Sequence, residues 1–312
     1  MKKVGILGGS GFIGSHITRQ FLNNGFEVIV STTDISKKEK YQHLYKLYNA
    51  DQLSISELNV ENKEQLENFA KDCDILVHSG TPFQLDFKDA KAELFNPTVK
   101  GTENFLDVVN KSPNVNKVVI IASVAAFNTN FPLPADGKTP TDTFSERDKP
   151  FTSEESHPYA QAKFIANKTV NDFIKKHPKL NVEITSVSPV AVFGKSLSQR
   201  EDSTSTGLQY LIKNKLAPNP FVQMLYDTDT EMAIVNVKDV GRGVFKAGTI
   251  FGLHGKNYLL SSETYPVSDV NLMLNNKAPK NQPKVIYQNQ MAERDLGLPF
   301  QSVKKTLEQY NS

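Results

Sequence analysis

The sequence has one cysteine, no tryptophan and no long hydrophobic run. The lone Cys73 excludes an intramolecular disulfide and a cysteine-rich metal site. The longest nearly apolar run beyond the first residues, Val118 to Phe127, is far shorter than the roughly 20 residues of a membrane span. Lys2 and Lys3 precede an apolar stretch as in a signal peptide, but repeated glycines interrupt it. We therefore expect a cytoplasmic protein with no membrane partner.

Positively and negatively charged residues are nearly balanced in number. The 312 residues contain 36 Lys and Arg against 34 Asp and Glu. This balance gives no indication of a nucleic-acid partner. Histidine and acidic residues show no spacing typical of a metal site, so no metal is expected. The length allows one large domain or two closely joined ones.

Short strand-like runs alternate with helical stretches through the first two-thirds of the chain. Buried parallel strands are predicted for Lys3 to Gly8, Glu27 to Thr32, Asp74 to Gly80, Lys117 to Ser123 and Glu183 to Pro189. Helices are predicted over residues 12–24, 62–71, 96–111 and 158–177. This alternation predicts an α/β fold with a doubly wound parallel sheet.

A glycine-rich turn, GGSGFIG, joins the first predicted strand to the first predicted helix. Gly8 permits a tight turn, Gly11 lets the backbone approach a pyrophosphate, and Gly14 allows close packing of helix and strand. We predict that Gly8, Gly11, Phe12, Ile13 and Gly14 bind a dinucleotide. The fold is then of the Rossmann type.

The prolines become frequent after Pro189, and the alternation of strands and helices loosens there. We predict a dinucleotide-binding domain over residues 1–189, to which 232–248 returns. Residues 190–231 and 249–312 would form a smaller C-terminal substrate lobe. Residues 128–156, a long polar excursion, are predicted to be a functional loop.

The glycine turn and the downstream segment Tyr159-Ala-Gln-Ala-Lys163 together resemble the extended short-chain dehydrogenase/reductase family, the NAD-dependent epimerase/dehydratase superfamily. VHSGTPF (Val77 to Phe83) and NPTVKGTENFL (Asn96 to Leu106) resemble the branch of dihydroflavonol reductases, cinnamoyl-CoA reductases and related aldehyde and ketone reductases. The resemblance covers about residues 1–250.

The end of the second strand bears on cofactor choice. NAD enzymes usually have an acidic residue there, and this chain has the uncharged Thr32. NADP-using relatives have an Arg and a Lys at the positions of Thr33 and Lys37, so half of that phosphate clamp is missing. Asp34 would repel a phosphate, and Lys37 also fits an ordinary solvated charge run. The comparison favours NADP(H) over NAD(H).

Tyr159 and Lys163, four residues apart, share one face of the predicted helix. The resemblance implies that Tyr159 is the proton donor and that Lys163 lowers its pKa and binds the nicotinamide ribose. Ser123 ends a strand, where its hydroxyl should face the cleft and polarise a substrate carbonyl.

The resemblance also assigns residues around the cofactor. Asn59 and Val60 would lie near the adenine, and Ser79, Gly80 and Thr81 would form a backbone wall. Pro189 and Val192, within SPVAVFG, would border the nicotinamide. His157 is expected to belong to the helix entry.

The predicted function is reduction of a small aldehyde, ketone or related carbonyl by hydride transfer from NAD(P)H. A nucleotide-sugar epimerase or dehydratase uses the same three side chains and remains an alternative. A non-catalytic dinucleotide sensor is a third possibility, although such proteins tend to lose the Tyr/Lys pair. The expected partner is a small carbonyl or alcohol substrate, and a homodimer is a reasonable expectation.

Overall fold

Parallel strands form the centre of the computed structural model, which describes residues 2–79, 88–199 and 204–311. Within these residues the strands are β1 (Lys3–Leu7), β2 (Glu27–Thr32), β3 (Leu53–Glu57), β4 (Ile75–His78), β5 (Lys117–Ile121), β6 (Glu183–Pro189), β7 (Ala191–Phe193), β8 (Glu231–Asn236), β9 (Asn257–Leu260) and β10 (Glu263–Pro266). Seven of them form one sheet in the order β3-β2-β1-β4-β5-β6-β9, with every neighbouring pair parallel.

Ten α-helices lie in the described residues, and some of them cover the two faces of this sheet. They are α1 (Phe12–Asn23), α2 (Lys63–Ala70), α3 (Gly101–Lys111), α4 (Pro158–Lys176), α5 (Thr204–Asn214), α6 (Pro220–Asp227), α7 (Val237–Thr249), α8 (Val267–Leu274), α9 (Gln290–Leu296) and α10 (Val303–Glu308). A wide π-type helix, Lys91–Lys100, runs directly into α3. No helix in the described ranges is apolar over a length that would cross a membrane.

Close packing of α1 against α7 covers one face of the sheet. A Cβ atom at Gly241 of α7 would lie 3.1 Å from the carbonyl oxygen of His16 in α1, a tight contact that a small shift of the helices would relieve. On the other face, Phe69, Phe105 and Val170 of α2, α3 and α4 enter one buried apolar cluster. Burial of apolar surface on both faces is the main stabilising contribution to such a sheet.

The predicted doubly wound parallel sheet is confirmed, but two of its strands were not predicted. The edge strand β3 alternates leucine and isoleucine with serine and therefore lacks the continuous apolar run that is typical of a buried parallel strand. The other edge strand, β9, has only four residues and lies within 249–312, which the sequence analysis assigned to the substrate lobe. It pairs with β6, so this segment contributes to the central sheet.

A second sheet, in the order β10-β8-β7, lies in the C-terminal part of the chain. The segment 232–248, expected to return to the central sheet, divides between the two sheets. Its strand β8 pairs with β7 and β10, whereas its helix α7 packs on the central sheet. The strand therefore does not return to the central sheet as expected, because both of its edges pair within the small sheet. The division into lobes otherwise stays a prediction.

Gly14→Ala tests whether the turn after β1 depends on close contact. Helix propensity alone predicts that alanine stabilises α1 by about 1 kcal/mol. A Cβ atom at Gly14 would lie 2.1 Å from the carbonyl oxygen of Gly8, and backbone cannot move aside cheaply. We therefore expect a net loss of about 1–3 kcal/mol in the free energy of unfolding, measured by urea denaturation.

Gly11→Ala is the matched control, because its Cβ atom would lie 3.4 Å from the same oxygen, an ordinary contact. We expect this variant to unfold near the wild-type urea midpoint. A Gly14→Ala protein as stable as Gly11→Ala would show that the contact does not constrain the turn.

Candidate active site

A cavity of about 510 Å³ opens at the carboxyl edge of the central sheet. Because the carboxyl ends of parallel strands meet there, it is the usual position for ligands in this class of fold. The glycine turn, the start of α4, the loop after Ser123 and the small sheet all contribute to its wall. The predicted site residues that line it are Gly8, Gly11, Phe12, Ile13, Gly14, Ser79, Ser123, Tyr159, Lys163, Pro189 and Val192.

The glycine turn has the geometry of an anion cradle. Gly8 has a φ of +73°, in the left-handed region that favours glycine, and its N–H donates to Ser31 Oγ at 3.0 Å. Gly11 caps α1 with no side-chain hydrogen bond, so the helix offers its first amides toward the cavity without a capping side chain. The turn therefore fits the pyrophosphate of a dinucleotide.

Tyr159 enters the cavity from the first turn of α4. Pro158 begins this helix, and His157 caps it by accepting the Tyr159 N–H on Nδ1 at 3.2 Å. His157 thus belongs to the helix entry, as expected. The cap fixes the direction of the helix where the Tyr159 side chain leaves it.

Ser123 meets Tyr159 from the end of β5. The strand ends at Ile121, and Ser123 begins a short 3₁₀ turn in which its Oγ accepts the Ala125 N–H at 3.2 Å. The Ser123 hydroxyl and the Tyr159 phenol are hydrogen-bonded. Burial raises the pKa of Tyr159, and the Ser123 hydrogen bond opposes that rise. The phenol therefore keeps its proton at neutral pH.

Lys163 lies one helical turn beyond Tyr159, and its ammonium donates to the Ile121 carbonyl at 2.9 Å. Burial lowers the pKa of Lys163 to about 8. Burial is the largest influence on the pKa of Tyr159 and raises it, so the predicted lowering of this pKa by Lys163 stays a prediction.

Five predicted cofactor residues lie outside the described lining of the cavity. They are Thr32, Thr33, Lys37, Asn59 and Val60. Thr32 ends β2, Thr33 and Lys37 follow it, and the other two follow β3, so all lie at the carboxyl edge next to the glycine turn. Gly80 and Thr81 lie outside the described residues.

The predicted phosphate clamp is internally paired. Lys37 Nζ lies 3.5 Å from Asp34 Oδ2, and Thr32 Oγ1 donates to the Asp34 carbonyl. Hydrogen bonds from Ser36 lower the pKa of Asp34, which keeps its carboxylate charged. Thr33 is exposed, and the exposed Lys37 can leave this ion pair for an anion at little cost.

Some residues of the site were not predicted from the sequence. Ser31, just before Thr32, supports the glycine turn through its hydroxyl, and its only signal was its place at a strand end. The apolar wall is formed by side chains from the loop after Ser123, from α5 and α6, and from β7 and β8. It comprises Phe131, Leu133, Phe193, Leu208, Phe221, Met224 and Met232.

Comparison with known proteins agrees with this architecture. Residues 4–260 match the model of the NAD dependent epimerase/dehydratase family. The chain is 28% identical to cinnamoyl-CoA reductase CAD2 of Medicago truncatula, over 97% of this chain and 94% of that protein. It is 25% identical to anthocyanidin reductase of Arabidopsis thaliana, over 77% of this chain and 70% of that protein.

Solved structures share the fold. The yeast methylglyoxal/isovaleraldehyde reductase Gre2, complexed with NADPH, superposes with a TM-score of 0.80 at 22% identity, over 99% of this chain and 97% of that one. Gre2 from Candida albicans, also with NADPH, gives a TM-score of 0.81 at 22% identity, over 100% of this chain and 98% of that one. The chain therefore belongs to the NAD dependent epimerase/dehydratase family and is an enzyme of the extended short-chain dehydrogenase/reductase type.

Proposed function

We propose that this enzyme reduces a small aldehyde, ketone or related carbonyl with NADPH. The observation that carries the proposal is the hydrogen-bonded Ser123–Tyr159 pair, in one cavity with Lys163 and the glycine turn. The similar proteins named above, including two Gre2 structures complexed with NADPH, are reductases by name and support the same chemistry.

The residues around the turn suit a dinucleotide. The open amides of α1 would hold its pyrophosphate, and Lys37 would pair with the 2′-phosphate that distinguishes NADPH from NADH. When bound, NADPH supplies the hydride that reduces the carbonyl carbon. Lys163, buried beside Tyr159, would in addition hydrogen-bond the ribose of the nicotinamide.

Ser123 would orient the carbonyl. Its Oγ accepts the Ala125 N–H, and its proton would turn from the Tyr159 oxygen to the oxygen of a carbonyl placed between Ser123 and Tyr159. Negative charge develops on that oxygen during reduction, and a fixed donor stabilises it.

Tyr159 would supply the proton. Its raised pKa keeps the phenol protonated, as a donor must be before reaction. Lys163 is mostly protonated below about pH 8, and its positive charge favours the phenolate left after transfer. Tyr159 would therefore hold the proton until it is transferred, and Lys163 would then stabilise the phenolate that remains.

The apolar part of the cavity wall favours a substrate with a hydrocarbon body. Phe131, Phe221 and Met224 are among the apolar side chains there, and burying apolar surface on them favours binding. A nucleotide sugar, the substrate of the alternative epimerase or dehydratase, would place hydroxyls and phosphates against this wall. The apolar wall therefore favours a simple carbonyl over a nucleotide sugar as the substrate.

Tyr159→Phe tests the mechanism. The ring and its packing remain but the proton is lost, so we expect kcat to fall by about 10²–10⁴-fold with NADPH affinity retained. Ser123→Ala should cost a comparable factor, and Lys163→Met should impair both binding and rate. The losses should be non-additive because the three groups act together. Steady-state kinetics with a carbonyl panel and calorimetry with NADPH measure both quantities.

Near-normal turnover of Tyr159→Phe on a carbonyl that the wild type reduces would overturn this mechanism. Tight NADPH binding by a wild type that reduces no carbonyl and oxidises no alcohol would favour a sensor instead. Conversion of a nucleotide sugar without net consumption of the dinucleotide would favour an epimerase or dehydratase.

Gly11→Val tests the pyrophosphate cradle. Gly11 has a φ of −71°, which valine adopts without strain, so the fold should survive. The branched side chain would fill the space where backbone must approach the pyrophosphate. We expect the Kd for NADPH to rise by about tenfold or more, a loss of at least about 1.4 kcal/mol. Unchanged affinity by calorimetry would reject the cradle.

Lys37→Ala tests cofactor choice. If Lys37 pairs with the 2′-phosphate, its loss should weaken NADPH by about fivefold, or about 1 kcal/mol, and leave NADH nearly unaffected. The exposed neighbour Lys38 provides the matched control, and Lys38→Ala should change neither affinity. Equal losses for both dinucleotides, or a wild type that prefers NADH, would contradict this assignment.

A further inference from the structure

The substrate-facing loop after Ser123 is organised around one buried amide. Asn128 is fully buried, and its Oδ1 accepts the Asn130 N–H at 2.9 Å. Its Nδ2 donates to the Leu133 carbonyl at 2.9 Å and to the Tyr287 hydroxyl at 2.8 Å. Asn128 thus closes the turn whose side chains Phe131 and Leu133 line the cavity.

Tyr287 reaches this loop from far along the chain. Its segment is bonded to the loop's outer part, with the Phe144 N–H donating to the Ile286 carbonyl at 2.7 Å and the Gln288 N–H to the Phe144 carbonyl at 2.8 Å. The Tyr287 ring, 5% exposed, packs edge-on against Phe131 with centroids 5.5 Å apart. Tyr287 is thus held by the bonds of its own segment and by the Phe131 ring, and it forms a fixed support behind the cavity wall.

We propose that Tyr287 is a positioning residue for substrate specificity. Its hydroxyl fixes Asn128 and its ring fixes Phe131, so it sets the position of one cavity wall without lining that cavity. The inference rests on the proposed reductase function. It predicts that Tyr287 controls the affinity for carbonyls large enough to touch this wall and does not affect the affinity for small carbonyls.

Tyr287→Phe removes only the hydroxyl. We expect the KM of a bulky aryl ketone to rise about threefold or more, the scale of one lost hydrogen bond. The kcat for that ketone, the KM of a short aliphatic aldehyde and the Kd for NADPH should stay near wild type. A merely structural role would move all four quantities together.

Tyr258→Phe is the matched control. Tyr258 is also fully buried, and its hydroxyl donates to Asp295 Oδ2 at 3.1 Å, away from the cavity. A hydrogen bond to a charged group is worth at least as much as one to an amide, so this variant loses no less stability. We expect it to keep the wild-type KM for both carbonyls. A KM shift shared by both variants would overturn the proposal.

Amide hydrogen exchange tests the positioning independently of activity. In Tyr287→Phe the amides of residues 128–133 should exchange faster, by about threefold or more, than in wild type and in Tyr258→Phe. Unchanged exchange in this loop would overturn the proposal even if KM shifts. A wild type that reduces no carbonyl would refute the proposed function, and the exchange result would still decide whether Tyr287 holds the loop.

Discussion

The close approach of Gly14 to the Gly8 carbonyl determines where everything else in the site can lie. Because only a hydrogen atom separates these backbones, α1 begins almost immediately after β1 and points its first turn along the carboxyl edge of the sheet. Tyr159 and Ser123 arrive at that edge from α4 and from the end of β5. A longer turn would leave the amides of α1 outside the cavity that these side chains share.

Burial shifts the pKa values of two side chains of the site in opposite directions. It disfavours the charged form of each group, so it raises the pKa of Tyr159 and lowers that of Lys163. A phenol and an amine have similar proton affinities in water, and the two shifts move them apart. The phenol of Tyr159 therefore holds its proton more tightly, whereas Lys163 gives up its proton above about pH 8.

Much of this arrangement was accessible from the sequence, because the signals were local. The strand–glycine–helix order gave the turn, and the four-residue spacing of Tyr159 and Lys163 gave a shared helix face. The pKa of Tyr159 was not predictable in direction, because it depends on burial by residues distant in sequence. The same holds for the apolar wall, since Phe131 and Met224 meet only through the tertiary fold.

The two strands that were not predicted, β3 and β9, have the same cause, because their pairing depends on residues distant in sequence. The strand β3 is half-exposed and shows a two-residue alternation, whereas the predicted strands are more continuously apolar. The four residues of β9 look like any short apolar run, and only pairing with β6 identifies them as sheet. Propensity describes a segment alone, but an edge strand is defined by the partner it finds.

The late position of β9 has a consequence for the order of folding during synthesis. Its partner β6 ends at Pro189, yet the ribosome must add β9, at Asn257–Leu260, before the central sheet is complete. Until then β6 exposes an unpaired edge, the kind of surface on which nascent chains associate wrongly. Two strands of the small sheet, β7 and β8, are synthesised in this interval, before that edge is covered. The central sheet and the small sheet are therefore interdependent in assembly, and an N-terminal fragment ending before β9 would lack one strand of the central sheet.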